Sequence, residues 1–304
     1  MRVTEWTKNY DPTRLVNCAS GGNDFPVGDV YDIHRYPGPA APKPDGKRAI
    51  VLGEYGGLGL PLEGHTWLDK GNWGYRTFKN KEELQSAYLR LIDQLRPLVG
   101  KGLAAAIYTQ TTDVEIEVNG LMTYDRQVFK FDAEKLAAAH KKLYLPPPKI
   151  SVVVPTSQQE PQTWRYTTAK PADGWEQPTF DDTTWKSAPG GFGEETTPGS
   201  VVRTEWKTPD IWLRRSVEIP SEKTAGLGIA IHYDEDSEIY LNGILIGKTV
   251  GYTTDYTTLS VDDDVLRKAL TVSKDGKHTL AVHCHQTGGG QYIDVGLVEI
   301  VEQK

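Results

Sequence analysis

Three consecutive prolines at positions 146–148 divide this sequence into two regions, because neither a helix nor a central strand can continue through them. Proline runs favour an extended polyproline spacer instead. A polar stretch with the sequence SQQEPQ follows at 157–162. We therefore predict two domains, residues 1–145 and 163–304, which are joined by a proline-rich linker over residues 146–162.

The composition argues against nucleic acid and membranes as partners. The 304-residue chain has a net charge of −7 and no basic block, so it is not expected to bind nucleic acid or an anionic membrane surface. No apolar run approaches the roughly 18 residues of a membrane span. The 8 Trp, 15 Tyr and 6 Phe suit a carbohydrate binder, because flat rings pack on the apolar faces of sugars.

The first region alternates the patterns of strands and helices. Four short apolar runs predict strands at 14–20, 28–37, 48–55 and 102–110. Apolar residues at helical spacing predict helices at 81–99 and 132–144, with Asp132 as the N-cap of the second. Short strands separated by helices favour parallel pairing, so we predict an α/β fold for residues 1–145.

Polar side chains stand at the end of each of these four predicted strands. In chain order they are Asn17 and Ser20, then Asp32, His34 and Tyr36, then Glu54 and Tyr55, then Tyr108, Gln110, Asp113 and Glu115. Active sites of (β/α)₈ barrels are built from side chains at the carboxyl ends of several strands. The pattern is therefore typical of a catalytic rim.

The stretch AIVLGEYGG, residues 49–57, places Glu54 between glycines at the end of the third predicted strand. With DIHRYP at 32–37 and YTQTTDVEIEVNGLMTYDR at 108–126, in this order, it resembles the last four βα units of a retaining glycoside hydrolase of family 2. That family groups β-galactosidases, β-glucuronidases and β-mannosidases. The resemblance covers residues 1–144 and implies strands five to eight of a (β/α)₈ TIM barrel.

The resemblance also implies roles for individual residues. Glu54 matches the catalytic nucleophile, and Tyr36 matches a tyrosine that hydrogen-bonds the nucleophile and helps to keep it ionised. His34 and Asn17 would contact the sugar. Tyr108 would replace the family's tryptophan as a sugar platform, with Gln110 beside it.

The loop GHTWLDKGNWGY, residues 64–75, follows the strand that carries Glu54. By its position it reaches over the mouth of the predicted barrel, where Trp67 and Trp73 would contact the aglycone. Packing of the loop alone is an equally good interpretation of these two tryptophans.

A retaining glycosidase also needs an acid/base carboxyl group about 5 Å from the nucleophile, and the family carries it in an Asn-Glu pair. This sequence contains no Asn-Glu pair. We therefore expect the C-terminal portion of a larger enzyme, with little activity of its own. Its open barrel edges would pair with the missing N-terminal portion or with a second copy. The full-length enzyme is expected in the periplasm or outside the cell, although residues 1–12 contain no secretory signal.

The second region has the sequence pattern of an all-β domain. Short alternating strands are predicted at 210–219, 227–234, 237–248, 278–286 and 292–300, with a hairpin turn at Asn242-Gly243. The region resembles a galactose-binding-like jelly roll, an antiparallel β-sandwich that many glycoside hydrolases carry. The resemblance leaves open whether the domain binds sugar or only supports the enzyme.

Metal sites and cofactors are weakly indicated. His283 and His285 would share one face of a strand, but no third ligand is evident. The acidic run DEDSE at 234–238 is where a structural calcium ion would bind, if there is one. Asp113, Glu115 and Glu117 are predicted to form a solvated acidic turn that starts a helix. Cys18 and Cys284 are predicted to be free thiols, and we expect no organic cofactor.

Two functional hypotheses remain at this stage. The first is a segment of a family 2 β-glycosidase, such as a β-galactosidase, that carries the nucleophile Glu54. The second is a non-catalytic carbohydrate-binding or assembly fragment in which the β-sandwich is the working part. Covalent labelling of Glu54 by a fluorosugar distinguishes them.

Overall fold

The computed structural model describes residues 2–220, 226–272 and 276–303. The chain forms two compact units. Unit 1 comprises residues 2–148 with 302–303, and unit 2 comprises residues 149–301. No helix within the described ranges is long and apolar enough to cross a membrane.

Unit 1 contains a three-stranded parallel sheet in the order β1-β2-β5. Its strands are β1 (Val30–Arg35), β2 (Ala49–Gly56) and β5 (Leu103–Thr109), and a separate small pair is formed by β3 (Leu58–Gly59) and β4 (Arg76–Thr77). Its helices are α1 (Arg2–Tyr10), α2 (Lys81–Gly100) and α3 (Ala133–Lys142). This is the α/β arrangement predicted for the first region.

Helix α2 packs its apolar stripe against one face of this sheet. The Asn80 side chain caps the helix by accepting a hydrogen bond of 2.8 Å from the backbone N–H of Glu83. The shared core contains Leu84, Tyr88, Leu91, Ile92 and Leu95 of the helix with Ile50, Leu52 and Leu103 of the sheet. Asp132 caps α3 as predicted, accepting from the N–H groups of Glu134 and Lys135.

The strand predicted at 14–20 is absent, which is a correction to the sequence analysis. The Asp29 carboxylate accepts from the N–H of Val16 at 2.8 Å, and the N–H of Asp29 donates to the Val16 carbonyl at 2.9 Å. These contacts hold the segment to the start of β1 without a ladder of paired residues. The structure therefore shows three parallel strands rather than the four of the predicted half-barrel.

Unit 2 is built from two six-stranded sheets. The first has the order β10-β9-β17-β12-β15, with β6 beside β17, and comprises β6 (Lys149–Val154), β9 (Phe192–Gly193), β10 (Thr204–Glu205), β12 (Leu227–Asp234), β15 (Thr257–Ser260) and β17 (Tyr292–Val301). The second has the order β14-β13-β16-β11-β7-β8 and comprises β7 (Thr163–Thr167), β8 (Lys186–Pro189), β11 (Asp210–Glu218), β13 (Asp236–Leu241), β14 (Ile244–Thr249) and β16 (Lys277–His285). The described part of the unit also contains helix α4 (Asp263–Thr271).

The two sheets share one hydrophobic core, as in a β-sandwich. Ile229, Ile231, Val295 and Leu297 of the first sheet join Ile211, Leu213, Ile239, Leu241, Leu280 and Val282 of the second in a single buried cluster. Alternate residues of β13 point inward, as a half-buried strand requires. The turn between β13 and β14 has φ angles of 52° at Asn242 and 82° at Gly243, as the Asn-Gly pair predicts.

Part of the predicted linker over 146–162 is a strand instead. Residues 149–154, KISVVV, form β6 and pair antiparallel with β17, so that Lys149 lies opposite Val301. Their β-branched, apolar side chains favour a strand once the proline run has ended. The boundary between the two units therefore falls at residue 148, before this strand.

One cross-strand pair in unit 2 predicts an unusual pH dependence. His232 on β12 lies opposite Asp294 on β17, and both are buried. Burial lowers the pKa of the His232 imidazole to about 4 and raises the pKa of the Asp294 carboxyl to about 6. As pH rises from 4 to 6.5, the His232 contribution to the free energy of unfolding increases. Over nearly the same range the Asp294 contribution decreases, so the two offset each other.

Replacing one of the two residues at a time should separate these two opposite dependences of the free energy of unfolding on pH. The free energy of unfolding of Asp294→Asn, minus that of the native chain, should increase by about 3 kcal/mol as the pH rises from 4 to 6. The reason is that each unit of pKa shift corresponds to about 1.4 kcal/mol. For His232→Asn, the same difference from the native chain should decrease by a similar amount as the pH rises from 4 to 6.5. Urea unfolding of unit 2 at half-unit pH steps measures both. Parallel curves for the native chain and either variant would contradict this account.

Candidate active site

The carboxyl ends of β1, β2 and β5 meet at one edge of the parallel sheet. His34 lies opposite Glu54, and Tyr55 lies opposite Tyr108, in the two strand pairs. Tyr36 follows the last residue of β1, and Thr109 is the last residue of β5. Because parallel strands end on the same side, their last side chains converge there.

The Glu54 carboxylate is held by a tyrosine. Tyr36 Oη donates to Glu54 Oε2 at 2.5 Å and also lies 3.0 Å from Thr109 Oγ1. Burial, and then the hydrogen bond to Glu54, raise the pKa of the Tyr36 phenol well above its usual value. The phenol therefore stays neutral and serves as the hydrogen-bond donor to Glu54. The Glu54 side chain is 44% exposed, which leaves it open to a ligand.

His34 approaches the same carboxylate from β1. Its Nδ1 lies 3.4 Å from Glu54 Oε2, and its Nε2 lies 3.3 Å from Ser20 Oγ. Asp32 Oδ1 is 3.9 Å from the same Nε2. His34 thus stands between two carboxyl groups, as a polar side chain of the site.

Asn17 is exposed, and its side chain amide reaches a buried carboxylate. Its Nδ2 donates to Asp32 Oδ2 at 2.7 Å, and Asp32 is buried. The predicted contact of Asn17 with a sugar would therefore compete with this hydrogen bond. The structure thus places Asn17 as a hydrogen-bond donor to Asp32.

An aromatic wall lines one side of the Glu54 site. The Tyr75 ring stacks on the Tyr36 ring with 3.7 Å between centroids and an interplanar angle of 1°, and Trp73 meets Tyr75 at 5.4 Å. Gly57 makes this stack possible, because a Cβ there would lie 2.4 Å from the Tyr75 ring. Trp73 and Tyr75 are both exposed, so they present ring surface to a bound molecule.

Trp67 does not join this wall. It packs edge-on against Tyr124, with 5.5 Å between ring centroids. A hydrogen bond of 2.8 Å between His65 Nδ1 and Asp125 Oδ2 also joins the two segments that carry these rings. Of the two tryptophans predicted to contact the aglycone, only Trp73 is placed beside Tyr75, the ring that stacks on Tyr36.

Tyr108 lies on the helix side of the sheet. Its ring contacts Tyr88 of α2 at 4.8 Å and Tyr55 at 5.7 Å, and burial strongly raises the pKa of its phenol. It also occupies the space beside Gly56, where a Cβ would lie 2.2 Å from the ring. A packing role accounts for all of these contacts, and the predicted sugar platform is not what the structure favours.

Gln110 begins a polar chain along the same rim. Its Nε2 donates to Asn119 Oδ1 at 2.9 Å, and Asn119 Nδ2 donates to Glu117 Oε1 at 2.8 Å. The backbone of Glu117 forms an isolated bridge with Trp73. Glu117 is thereby connected to the aromatic wall, a link that sequence reasoning missed.

The acidic turn predicted to start a helix is different in the structure. Asp113 is buried and accepts from Lys130 Nζ at 2.7 Å, while Val114 and Glu117 exchange backbone hydrogen bonds. No helix begins there, because the next helix, α3, starts at Ala133. Lys130 was missed because a lysine between two phenylalanines suggests an exposed strand position rather than a buried ion-pair partner.

The metal candidates have partners within the protein. His283 Nε2 and His285 Nδ1 both lie within 2.9 Å of Asp210 Oδ1. In the acidic run, Asp234 accepts from Thr197, and Glu238 pairs with Lys248. Among the described residues, no group of three or more His, Cys, Asp and Glu side chains is arranged to hold a metal ion.

No protein-family model matches the sequence, and no curated protein matches it. Solved structures do. A calcium-binding mutant of β-glucuronidase 2 from Bacteroides uniformis shares 20% identity over 50% of this chain and 18% of its own, with a TM-score of 0.35. A glycosyl hydrolase family 2 member from Bacteroides cellulosilyticus shares 17% identity over 50% of this chain and 21% of its own, with a TM-score of 0.34.

A β-glucuronidase from an uncultured Clostridium sp. shares 11% identity over 51% of this chain and 29% of its own, with a TM-score of 0.31. The chain thus spans less than a third of the length of these three proteins. What it is similar to, over about half of its own residues, is a set of β-glucuronidases and a glycosyl hydrolase of family 2.

Proposed function

We propose that this chain carries the nucleophile of a retaining β-glycosidase of family 2, with Glu54 as that nucleophile. One observation carries the proposal. The half-exposed Glu54 carboxylate stands at the carboxyl ends of parallel strands and accepts a 2.5 Å hydrogen bond from Tyr36. A carboxylate fixed in this way is suited to attack an anomeric carbon and form a covalent glycosyl-enzyme.

The surrounding side chains fit this chemistry. Tyr36 donates a hydrogen bond to Glu54 in the resting state and yields it as the carboxylate oxygen bonds to the sugar. The exposed rings of Trp73 and Tyr75 offer apolar surface to a carbohydrate. A carbohydrate with a β-glycosidic bond is therefore the proposed substrate class.

The proposal assigns the acid/base to another part of the enzyme. The sequence holds no Asn-Glu pair, the form in which the family carries this group. Unit 1 would then be part of a (β/α)₈ barrel whose remaining strands pair with β1 and β5. In the described sheet these two strands each have one neighbour, β2.

Covalent labelling tests the proposal. The chain is incubated with 2,4-dinitrophenyl 2-deoxy-2-fluoro-β-glycosides of galactose, glucose and glucuronic acid, whose leaving group departs without protonation. Intact mass should rise by one fluoroglycosyl group, and peptide mapping should place it on Glu54. Glu54→Gln should take up none, because an amide is a poor nucleophile.

Glu63→Gln is the matched control, since Glu63 is an exposed glutamate in the segment that follows β2. It should label like the native chain. Labelling at another carboxylate, or none with any of the three sugars, would refute the nucleophile assignment and favour a carbohydrate-binding role.

A further inference from the structure

Strand β2 carries one extra residue just before Glu54. Ile33 of β1 pairs with Leu52 of β2, but the next residue, His34, pairs with Glu54. Gly53 therefore has no partner across the ladder, which defines a β-bulge. Such bulges bend a strand and change the direction of the side chain that follows.

The Asp32 side chain takes the place of the missing ladder partner. Its Oδ1 accepts a hydrogen bond of 3.0 Å from the N–H of Gly53. Only glycine fits beside it, because a Cβ at position 53 would lie 2.2 Å from Asp32 Oδ1. The close contact therefore depends on both residues, because Asp32 supplies the acceptor oxygen and Gly53 has no side chain in the way.

Asp32 is itself held rigidly. Its side chain is 5% exposed, and its Oδ2 accepts from Asn17 Nδ2 at 2.7 Å. Both oxygens therefore have a donor, as a buried carboxylate requires. The carboxylate cannot rotate without losing one of the two hydrogen bonds.

The bulge decides which way Glu54 points. In a regular strand, residues two apart share a face, so Glu54 would share the face of Leu52. Leu52 is fully buried in the core with α2. The extra residue breaks this alternation, and Glu54 instead reaches Tyr36 and His34 at the rim.

We propose that Asp32 is the positioning residue of this site: it holds the bulge at Gly53 and thereby directs Glu54 toward Tyr36. The inference rests on the proposed function only in taking Glu54 as the nucleophile. Asp32 acts through the backbone and is not expected to touch the substrate.

Amide hydrogen exchange of a ¹⁵N-glycine-labelled chain tests the first half of this inference. The Gly53 amide should be protected in the native chain and exchange at least about tenfold faster in Asp32→Ala, the loss expected for one hydrogen bond. Asp32→Asn keeps one acceptor oxygen and should lie between them. Gly56, whose N–H donates to the Pro37 carbonyl at 2.8 Å, is the internal control and should not change.

The rate of Glu54 labelling by the fluorosugar tests the second half. It should fall about 100-fold in Asp32→Ala, as for a displacement of about 1 Å, and less in Asp32→Asn. Asp45→Asn is the matched control, because Asp45 accepts the N–H groups of Lys47 and Arg48 just before β2 without contacting Gly53. If Asp32→Ala fails to fold, Gly53→Ala replaces it, since the added methyl group displaces the same carboxylate.

Unchanged Gly53 exchange in Asp32→Ala would overturn the inference, and so would faster exchange with unchanged labelling. A native chain that takes no label refutes the proposed function separately. The exchange data and the Tyr36–Glu54 distance in a crystal structure of Asp32→Asn or Asp32→Ala then decide the role of Asp32. A distance that stays at 2.5 Å in both variants would reject it.

Discussion

The purified chain should hydrolyse 4-nitrophenyl β-glycosides far more slowly than 2,4-dinitrophenyl β-glycosides. Without a positioned acid, the leaving group must depart unprotonated, and general acid catalysis is worth about 10²–10⁴-fold. Sodium azide should accelerate turnover of the dinitrophenyl substrate, because a small anion attacks the glycosyl-enzyme without a general base. The product to identify is the β-glycosyl azide, which the Glu54→Gln variant should not form.

The opposite result is equally informative. If the chain cleaves 4-nitrophenyl glycosides at an ordinary enzymatic kcat, roughly 10 s⁻¹, an acid lies within these 304 residues. Glu117 would then be the first residue to replace, because Asn119 fixes its carboxylate and its backbone pairs with Trp73 on the aromatic wall. Glu115 would be the second.

Asp113→Ala should destabilise unit 1 by about 3–5 kcal/mol, because it leaves a buried ammonium group without its counter-ion. Lys130 Nζ is fully buried and donates to Asp113 Oδ1 at 2.7 Å and to the Val118 carbonyl at 3.0 Å. The same Asp113 oxygen accepts from the N–H of Gly120 at 2.7 Å. The pair thereby fixes the segment that carries Asn119. Urea unfolding of the full chain measures the loss.

Two variants set the scale for this measurement. Lys135→Ala removes an exposed ion pair with Asp132 and should cost less than about 1 kcal/mol. The double variant Asp113→Leu with Lys130→Met removes both buried charges and should recover most of the stability lost in Asp113→Ala. A loss below about 1 kcal/mol in Asp113→Ala would show that the ammonium is hydrated or neutral.

The convergence of Glu54 and Tyr36 could be predicted from sequence because it depends on local features. Each lies at the end of an apolar run of strand length, and the two runs were predicted to be strands of one parallel sheet. Parallel strands place their carboxyl ends together, so the two side chains had to meet. The Asn-Gly hairpin of unit 2 was equally local, because both residues adopt the left-handed region that the turn requires.

The features that sequence analysis missed depend on distant contacts. Nothing in residues 14–20 reveals that the Asp29 carboxylate will satisfy the backbone of Val16 and replace a strand ladder. The loop over residues 64–75 carries Trp67, Trp73 and Tyr75, and any of them could have stacked on Tyr36. An irregular loop has no periodic pattern that predicts which side chain points where. The bulge at Gly53 is visible only in the pairing of β2 with its two neighbours, β1 and β5.

The sandwich begins and ends on neighbouring strands, since Lys149 at the start of β6 lies opposite Val301 at the end of β17. Its two connections to the rest of the chain are therefore about one strand spacing apart, roughly 5 Å. Modules with adjacent ends are the ones that tolerate insertion and circular permutation, because a host loop need not stretch to accept them. Unit 2 is therefore suited to domain insertion, in which the whole unit is placed in a surface loop of an unrelated protein.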